Sequence, residues 1–476
     1  MRKIHSRVLM GALVGSGLAV LGCGVANAAE TSGADSLLGG DQAIVSVDAP
    51  VSIGGNAVSV IGDSHTSDAT TSTGSSGSGG DVTTDGSDGL LGGNQGVVSV
   101  EVPVTVSGNA VSVIGDSHTS DATTSGSSGG SGSGGSGSGG SDSGGSGSGG
   151  SDEGGSDHGD SSDATSDGTD SPLGGNQAVI PIDVPVTVGG NAVSVIGDSH
   201  TSDATTSTES SGSGGDETTD GSDSLLGGNQ AVIPVEVPVT VGGNAVSVIG
   251  DSVSHDATTT GGGSNGSDHG GDVTTDGGDS LSGGNQLAAP ISLPVTIGGN
   301  AVSVIGDSHT SDATTIGGSG GSGHGGDVTT DGGDSLSGGN QLIAPITLPV
   351  TVGGNAISVI GDSTSTDATT IGGNGGGLLA GITTDGSDSI LGGNQLIVPI
   401  SLPMTIGGNA VSIIGDSHTG GSHTGTPGTP GTPGTPGTPG TPGTPGTPGT
   451  PGTPGTPGTP GTPGTPGYPR HLRHPR

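Results

Sequence analysis

Seven times along the chain, a run of alternating aliphatic and polar positions leads into a Gly-Gly-Asn-type turn and then a second, shorter aliphatic run. In the fourth occurrence Val235, Val237, Val239 and Val241 alternate with Pro234, Glu236, Pro238 and Thr240. A period of two is the signature of a strand and puts four valines on one face. Gly242-Gly243-Asn244 tolerates the positive φ angles of a tight turn, and Val246, Ser247, Val248 and Ile249 are expected to return along the first strand as a β-hairpin. The prolines qualify that expectation. The N–H groups of residues 234, 236 and 238 point to one side, so two prolines remove two of three donors there. Pairing is therefore expected through the other edge, with the free side of the first strand protected against indiscriminate addition.

Each copy is 29 residues long without insertion or deletion: 35–63, 88–116, 170–198, 223–251, 279–307, 334–362 and 388–416. The spacers vary from 24 to 53 residues, the longest being the Gly/Ser-rich linker 117–169. A fixed block between variable spacers points to a repetitive assembly before it points to an enzyme. Composition sharpens this: 110 Gly, no Phe, no Trp and a single Tyr (Tyr468) in 476 residues leave no large aromatic core. The spacers, poor in apolar residues and acidic, are expected to stay disordered. The fold class is thus all-β, seven short hairpin repeats in a largely disordered Gly/Ser/Asp-rich chain. One block cannot offset its own ordering entropy. The modules must stack within the chain, assemble between chains, or lie at an apolar or air interface.

The copies form two groups. Copies one to four carry an acid beside the prolines (Asp48, Glu101, Asp183, Glu236), whereas copies five to seven carry Ser292, Thr347 and Ser401, next to Leu293, Leu348 and Leu402. The later copies are the more apolar and the more prone to associate.

Charge and termini set the compartment. The six basic residues, Arg2, Lys3, Arg7, Arg470, Arg473 and Arg476, lie at the two ends, against 45 acidic residues. Nucleic acid is excluded as a partner on electrostatic grounds. Residues 1–28 read as a signal peptide: Arg2, Lys3 and Arg7 precede the apolar run Val8 to Leu21, and Ala26-Asn27-Ala28 offers a cleavage site before Ala29. The protein is expected to be secreted to the cell surface or cell wall, with lipoprotein anchoring through Cys23 as the alternative. The mature chain is expected to have no disulfide and no membrane span.

The run Asn229-Gln230, then Val235 to Val241, Gly242-Gly243-Asn244 and Ala245-Val246-Ser247-Val248-Ile249-Gly250, resembles the chaplin domain of filamentous actinobacteria. The resemblance covers about 20 residues of each block. It implies a secreted, surface-active protein that assembles into amyloid-like fibrils and makes aerial structures hydrophobic. Gly242 and its equivalents stand where that family often carries its first cysteine, and the segment after Ile-Gly is missing, so a disulfide-stabilised domain is excluded.

From Gly425 to Gly467 glycine occupies every third position with Thr-Pro between, a stalk that reads either as an extended spacer or as a collagen-like triple helix. Tyr468 to Arg476 is a basic tail. Leu293 to Gly298, Leu348 to Gly353 and Leu402 to Gly407 imitate sortase signals, but each has an extra aliphatic residue before Gly and no hydrophobic tail follows; they are strand residues. Gly62 to Asp68 brings Ser, His and Asp together, yet a hydrolytic triad needs a rigid, water-excluding scaffold, so no catalytic residue is assigned. His65 with Asp68, or Asp272, Asp276 and Asp279, offer weak metal ligands, and the EF-hand and calcium nonapeptide patterns are absent. No cofactor and no metal site are assigned. The sequence reads as a non-catalytic structural protein that self-associates through Val235, Val237, Val239, Val241, Val246, Val248 and Ile249 of each such repeat. Cell-wall polymers or an air–water interface are the further candidate partners. The alternative is a stalked adhesin or binding protein that folds on a partner.

Overall fold

A computed structural model describes residues 29–32, 40–74, 81–90, 92–128, 163–210, 216–262, 272–318, 327–373, 381–387 and 389–425. The chain divides into two units, Met1–Gly431 and Thr432–Arg476, and every described residue lies in the first. Residues 1–28, most of the Gly-Thr-Pro stalk and the basic tail fall outside the described residues.

Within them, regular structure is entirely β. Coil four shows the plan. Its strands are Glu217–Asp220, Gln230–Val232 with Val235–Glu236, Val239–Gly242, Ala245–Ile249, Ser252–His255 and Thr258–Thr260. Each stacks on its counterparts in the coils before and after, giving six parallel sheets, which we number I to VI in that order. The result is a seven-coil parallel β-solenoid. Register is identical everywhere: Val239 faces Val186 and Val295, and Ala245 faces Ala192 and Ala301.

The all-β class and sevenfold repetition follow the sequence expectation; the hairpin does not. Val239–Gly242 and Ala245–Ile249 do not pair with each other but lie in sheets III and IV, each paired in parallel with the neighbouring coils. The turn between them forms where expected, with Gly243 at φ 67°, but it makes a corner rather than a reversal. Near-identical copies explain the preference. Every strand finds the same sequence one coil away, so a single register satisfies all six sheets at once, whereas a hairpin would leave both blocks' outer edges open.

The spacers are corrected in part as well. Sheets V, VI and I are built from spacer residues: Ser252–His255, Thr258–Thr260 and Val273–Asp276 all lie outside the 29-residue blocks. The segments of sheets V and VI order with little apolar surface because their buried hydroxyls bond to backbone. Ser252 Oγ donates to Val302 O at 2.7 Å, Ser254 Oγ to Gly243 O at 2.8 Å and Thr259 Oγ1 to Gly242 O at 2.9 Å. Differences in spacer length fall between the sheet VI strand and the next sheet I strand, as between Ser128 and Ala164.

The prolines act on sheet II. Coils one to three keep seven-residue strands (Gln42–Asp48, Gln95–Glu101, Gln177–Asp183), whereas from coil four onward the strand is split where Pro234, Pro290, Pro345 and Pro399 stand. Both edges pair nonetheless, contrary to the one-edge expectation, because proline keeps its carbonyl: Val239 N–H donates to Pro185 O and Ile291 N–H to Pro234 O, both at 2.8 Å.

The interior is narrow and mostly polar. Thr240, Ser247, Ser252, Thr259 and Thr275 are fully or almost fully buried, beside Ala245 and Ala257. A Cβ at Gly242 would stand 2.2 Å from Oγ1 of Thr206 on the facing sheet, so there is room for threonine against glycine and not for valine against valine. Among the described residues, larger buried apolar side chains gather in a cluster of Val232, Val273, Ala288, Val328 and Ile343 between sheets I and II, and elsewhere apolar burial is mostly alanine. Modules stacking within one chain is thus the route by which blocks too small to fold alone become ordered.

Candidate functional site

The repeat places one side chain of each type in every coil, so chemistry-bearing residues line up in columns. Two are amide columns. Asn244 Nδ2 donates to Asn191 Oδ1 at 2.9 Å and Asn300 Nδ2 to Asn244 Oδ1 at 2.9 Å, and the column runs from Asn56 to Asn409. The second joins Asn94, Asn176, Asn229, Asn285, Asn340 and Asn394, and begins at Asp41, whose Oδ1 accepts from Asn94 Nδ2 at 2.9 Å. A carboxylate fits at that end because the first rung only has to accept. Beside it Gln177, Gln230, Gln286, Gln341 and Gln395 form an inner glutamine column. Thr219 and Thr275 donate to the oxygens of Gln177 and Gln230, at 2.7 and 2.6 Å.

Acids also align. At an exposed corner, Asp251 N–H donates to Asp198 Oδ1 and Asp307 N–H to Asp251 Oδ1, each at 2.9 Å. The acids of copies one to four, Asp48, Glu101, Asp183 and Glu236, are register neighbours in sheet II. They point inward, and Asp183 is only 4% exposed. Ser292 and Thr347 occupy the same buried column, so the two classes of copy differ in their interior. Glu217 replaces the Val82, Ala164 and Val273 of its column. Burial, then Asp216 and Asp163 nearby, raise its carboxyl well above the ordinary range, and its Oε2 has no hydrogen-bond partner.

Imidazoles stack on sheet V: His65, His118 and His200 lie face to face with ring centres 4.8 Å apart. Desolvation, and secondarily the His65 charge, lowers the His118 pKa; desolvation, then His118 and His255, lowers that of His200. The Ser-His-Asp pattern of Gly62 to Asp68 is therefore a strand followed by a corner, with Asp68 at φ 51°. Asp272, Asp276 and Asp279 do not converge: Asp272 N–H bonds Asp216 Oδ1, Asp276 Oδ1 accepts from Gly278 N–H, and Asp279 is a left-handed turn residue.

The valines singled out from the sequence are on the outside. Val235, Val237, Val239, Val241 and Val246 are half-buried, and Val248 and Ile249 are 40% and 45% exposed. Stacking turns each into a column that stays apolar through all seven coils, with Met404 at the end of the Val239 column. Val58, Val111, Val193, Val246, Val302, Ile357 and Val411 form one, and Ile61, Ile114, Ile196, Ile249, Ile305, Ile360 and Ile414 another. Sheets II, III and IV thus carry hydrocarbon outward over a polar interior.

This aliphatic face, repeated with Gly-Asn corners, coincides with a known family. The sequence model described as ChpA-C matches residues 69–126, 154–208 and 204–262. Over these segments the chain is similar to the chaplin family. A curated relative, Chaplin-B of Streptomyces coelicolor (strain ATCC BAA-471 / A3(2) / M145), is 34% identical over 122 residues, covering 20% of this chain and 50% of the relative. The chain spans about half the length of that chaplin. The collagen triple helix repeat model matches residues 418–471, at the Gly-Thr-Pro stalk. No solved structure matches. Each chaplin match spans one whole block and begins and ends in the spacers on either side, in keeping with a coil that uses both. Among the described residues, no helix is long and apolar enough to cross a membrane.

Proposed function

We propose that this protein is a chaplin-like, secreted, non-catalytic structural protein of the cell surface, exported by its N-terminal 28 residues. It coats an interface through the outward aliphatic columns of sheets II to IV. The observation that carries this reading is the inversion of the solenoid: hydroxyls and amides fill the interior, while Val and Ile, Val235 to Ile249 among them, face outward in register. Contiguous exposed apolar surface of this extent marks an interaction surface. Self-association into an amyloid-like layer follows the same logic, since in-register parallel strands with amide columns are the architecture of cross-β stacking. The acidic corners keep single chains apart in solution.

The test is pendant-drop tensiometry on the mature chain and on a variant in which Val195, Ile196, Val248, Ile249, Val304 and Ile305 are all Thr. The parent is expected to lower surface tension strongly and the variant far less, with matching far-UV circular dichroism. A parent without surface activity, or a variant as active as the parent, would remove the reading. The collagen-type match at the C-terminus favours a second reading, an adhesin carried on a stalk, which requires saturable binding of the chain to cell-wall polymer.

A further inference from the structure

Coil four departs from its neighbours on sheet V. Coils one, two, three and five read Ser-His-Thr-Ser there (64–67, 117–120, 199–202, 308–311), whereas coil four reads Ser252-Val253-Ser254-His255. The imidazole has moved two residues along the strand and stays on the outward face. It leaves the column of His65, His118 and His200 and enters the one held by Ser202 and Ser311. That position adjoins a corner where coils one to six turn on a left-handed aspartate, Asp256 at φ 48° and Asp312 at φ 52°. His255 therefore meets one carboxylate from its own coil and one from the next. Nε2 is 2.8 Å from Asp256 Oδ2, and Nδ1 is 3.9 Å from Asp312 Oδ2. Ligand atoms of the three lie within 4.8 Å of one another.

We propose that His255, Asp256 and Asp312 bind a divalent transition metal ion of the zinc type, joining coil four to coil five. The donor set is one imidazole nitrogen and two carboxylate oxygens, which suits Zn²⁺ better than Ca²⁺. Ser311 supplies the supporting contact: its Oγ lies 2.6 Å from Nδ1. With Nδ1 donating to that hydroxyl, the Nε2 lone pair points at Asp256, the arrangement in which metal-bound histidines are held by a second hydrogen bond. In that tautomer the Nε2 lone pair faces the Asp256 carboxylate at 2.8 Å, a repulsion that a bound cation relieves; in the other tautomer Nε2–H donates to Asp256 and Nδ1 accepts from Ser311. The chain offers no other cation for the task, since no Lys or Arg occurs between Arg7 and Arg470. All three residues are partly or fully exposed, so the ion has access from solvent.

Isothermal titration of the full-length mature chain with zinc chloride tests this. His255→Ser restores the residue that four other coils carry and leaves the fold intact, which circular dichroism verifies; Asp312→Asn is the second variant. His309→Thr is the control, since it removes an imidazole from the other column. The parent is expected to bind one more Zn²⁺ per chain than His255→Ser. Asp312→Asn is expected to weaken that equivalent at least tenfold, and His309→Thr to retain it. Equal stoichiometry in parent and His255→Ser would assign any zinc to the acidic corners or other histidines and overturn the proposal. So would competition by millimolar Ca²⁺, or the absence of saturable binding in the parent.

Discussion

Replacing Asn244 by Ala removes the central rung of a buried amide column. Its Nδ2 donates to Asn191 Oδ1 at 2.9 Å, to Gly242 O at 3.0 Å and to Ile297 O at 3.3 Å. Its Oδ1 accepts from the backbone N–H and the Nδ2 of Asn300, at 3.2 and 2.9 Å. Each well-formed bond contributes about 1 kcal/mol net, and a buried donor left without an acceptor costs about 1–3 kcal/mol. Asn300, itself buried, loses the acceptor for two donors. The expected destabilisation is therefore about 3–5 kcal/mol. Asn409, in the last coil, is the internal comparison. Alanine there deletes one side-chain bond, Nδ2 to Asn355 Oδ1 at 2.8 Å, and the backbone N–H still donates to Asn355, so about 1 kcal/mol is expected. Urea unfolding followed by far-UV circular dichroism, with slopes compared to confirm that the same transition is observed, measures both. Equal losses at the two positions, or less than 1 kcal/mol at Asn244, would refute the column as the element that holds the coils in register.

Glu217→Val should stabilise the chain at neutral pH by about 1–3 kcal/mol, because it exchanges a buried carboxyl with an unpartnered oxygen for the residue found at Val82, Val273 and Val328. The parent's stability should fall as pH rises above about 4.5, the ordinary glutamate value, because the unfolded chain releases that proton before the folded one does. Thermal melts of parent and variant across pH 4 to 8 would diverge, on the order of a few degrees; parallel curves would contradict the assignment. The histidine column acts at a different pH. Folded His118 and His200 take up protons only below the usual 6.5, while the unfolded chain does so near it. Stability should therefore decline as pH drops through 6.5 and recover as it rises, and Thr at both positions, the residue that Thr364 provides in coil six, should flatten that response.

Several features were legible in the sequence. The strand periodicity of Val235 to Val241, the corner at Gly242-Gly243-Asn244 and the sevenfold block are local, and local geometry fixes them: a period of two, positive φ at glycine, and equal spacing. The residues on the aliphatic face were also identifiable, and Val248 and Ile249 are indeed the most exposed of them. The partner of each strand was not legible, because one repeat viewed alone supports a hairpin as well as a stack. Low hydrophobicity made the spacers read as disordered, yet Ser254, Thr259 and Thr275 order by burying hydroxyls on backbone carbonyls and on Gln230. One signal was present and points the right way: the Thr-Thr and Ser-x-Thr patterns recur at fixed offsets outside the 29-residue block.

The sequence by itself determined that this chain is a repetitive β protein, because alternation and turn chemistry act between neighbouring residues. Only the tertiary structure decided which face is inside. That choice depends on the width between sheets III and VI, where Gly242 faces Thr206 with no room for another side chain. It depends also on stacking, which satisfies polar side chains from coil to coil and so lets hydroxyls and amides fill the interior while the valines stay outside.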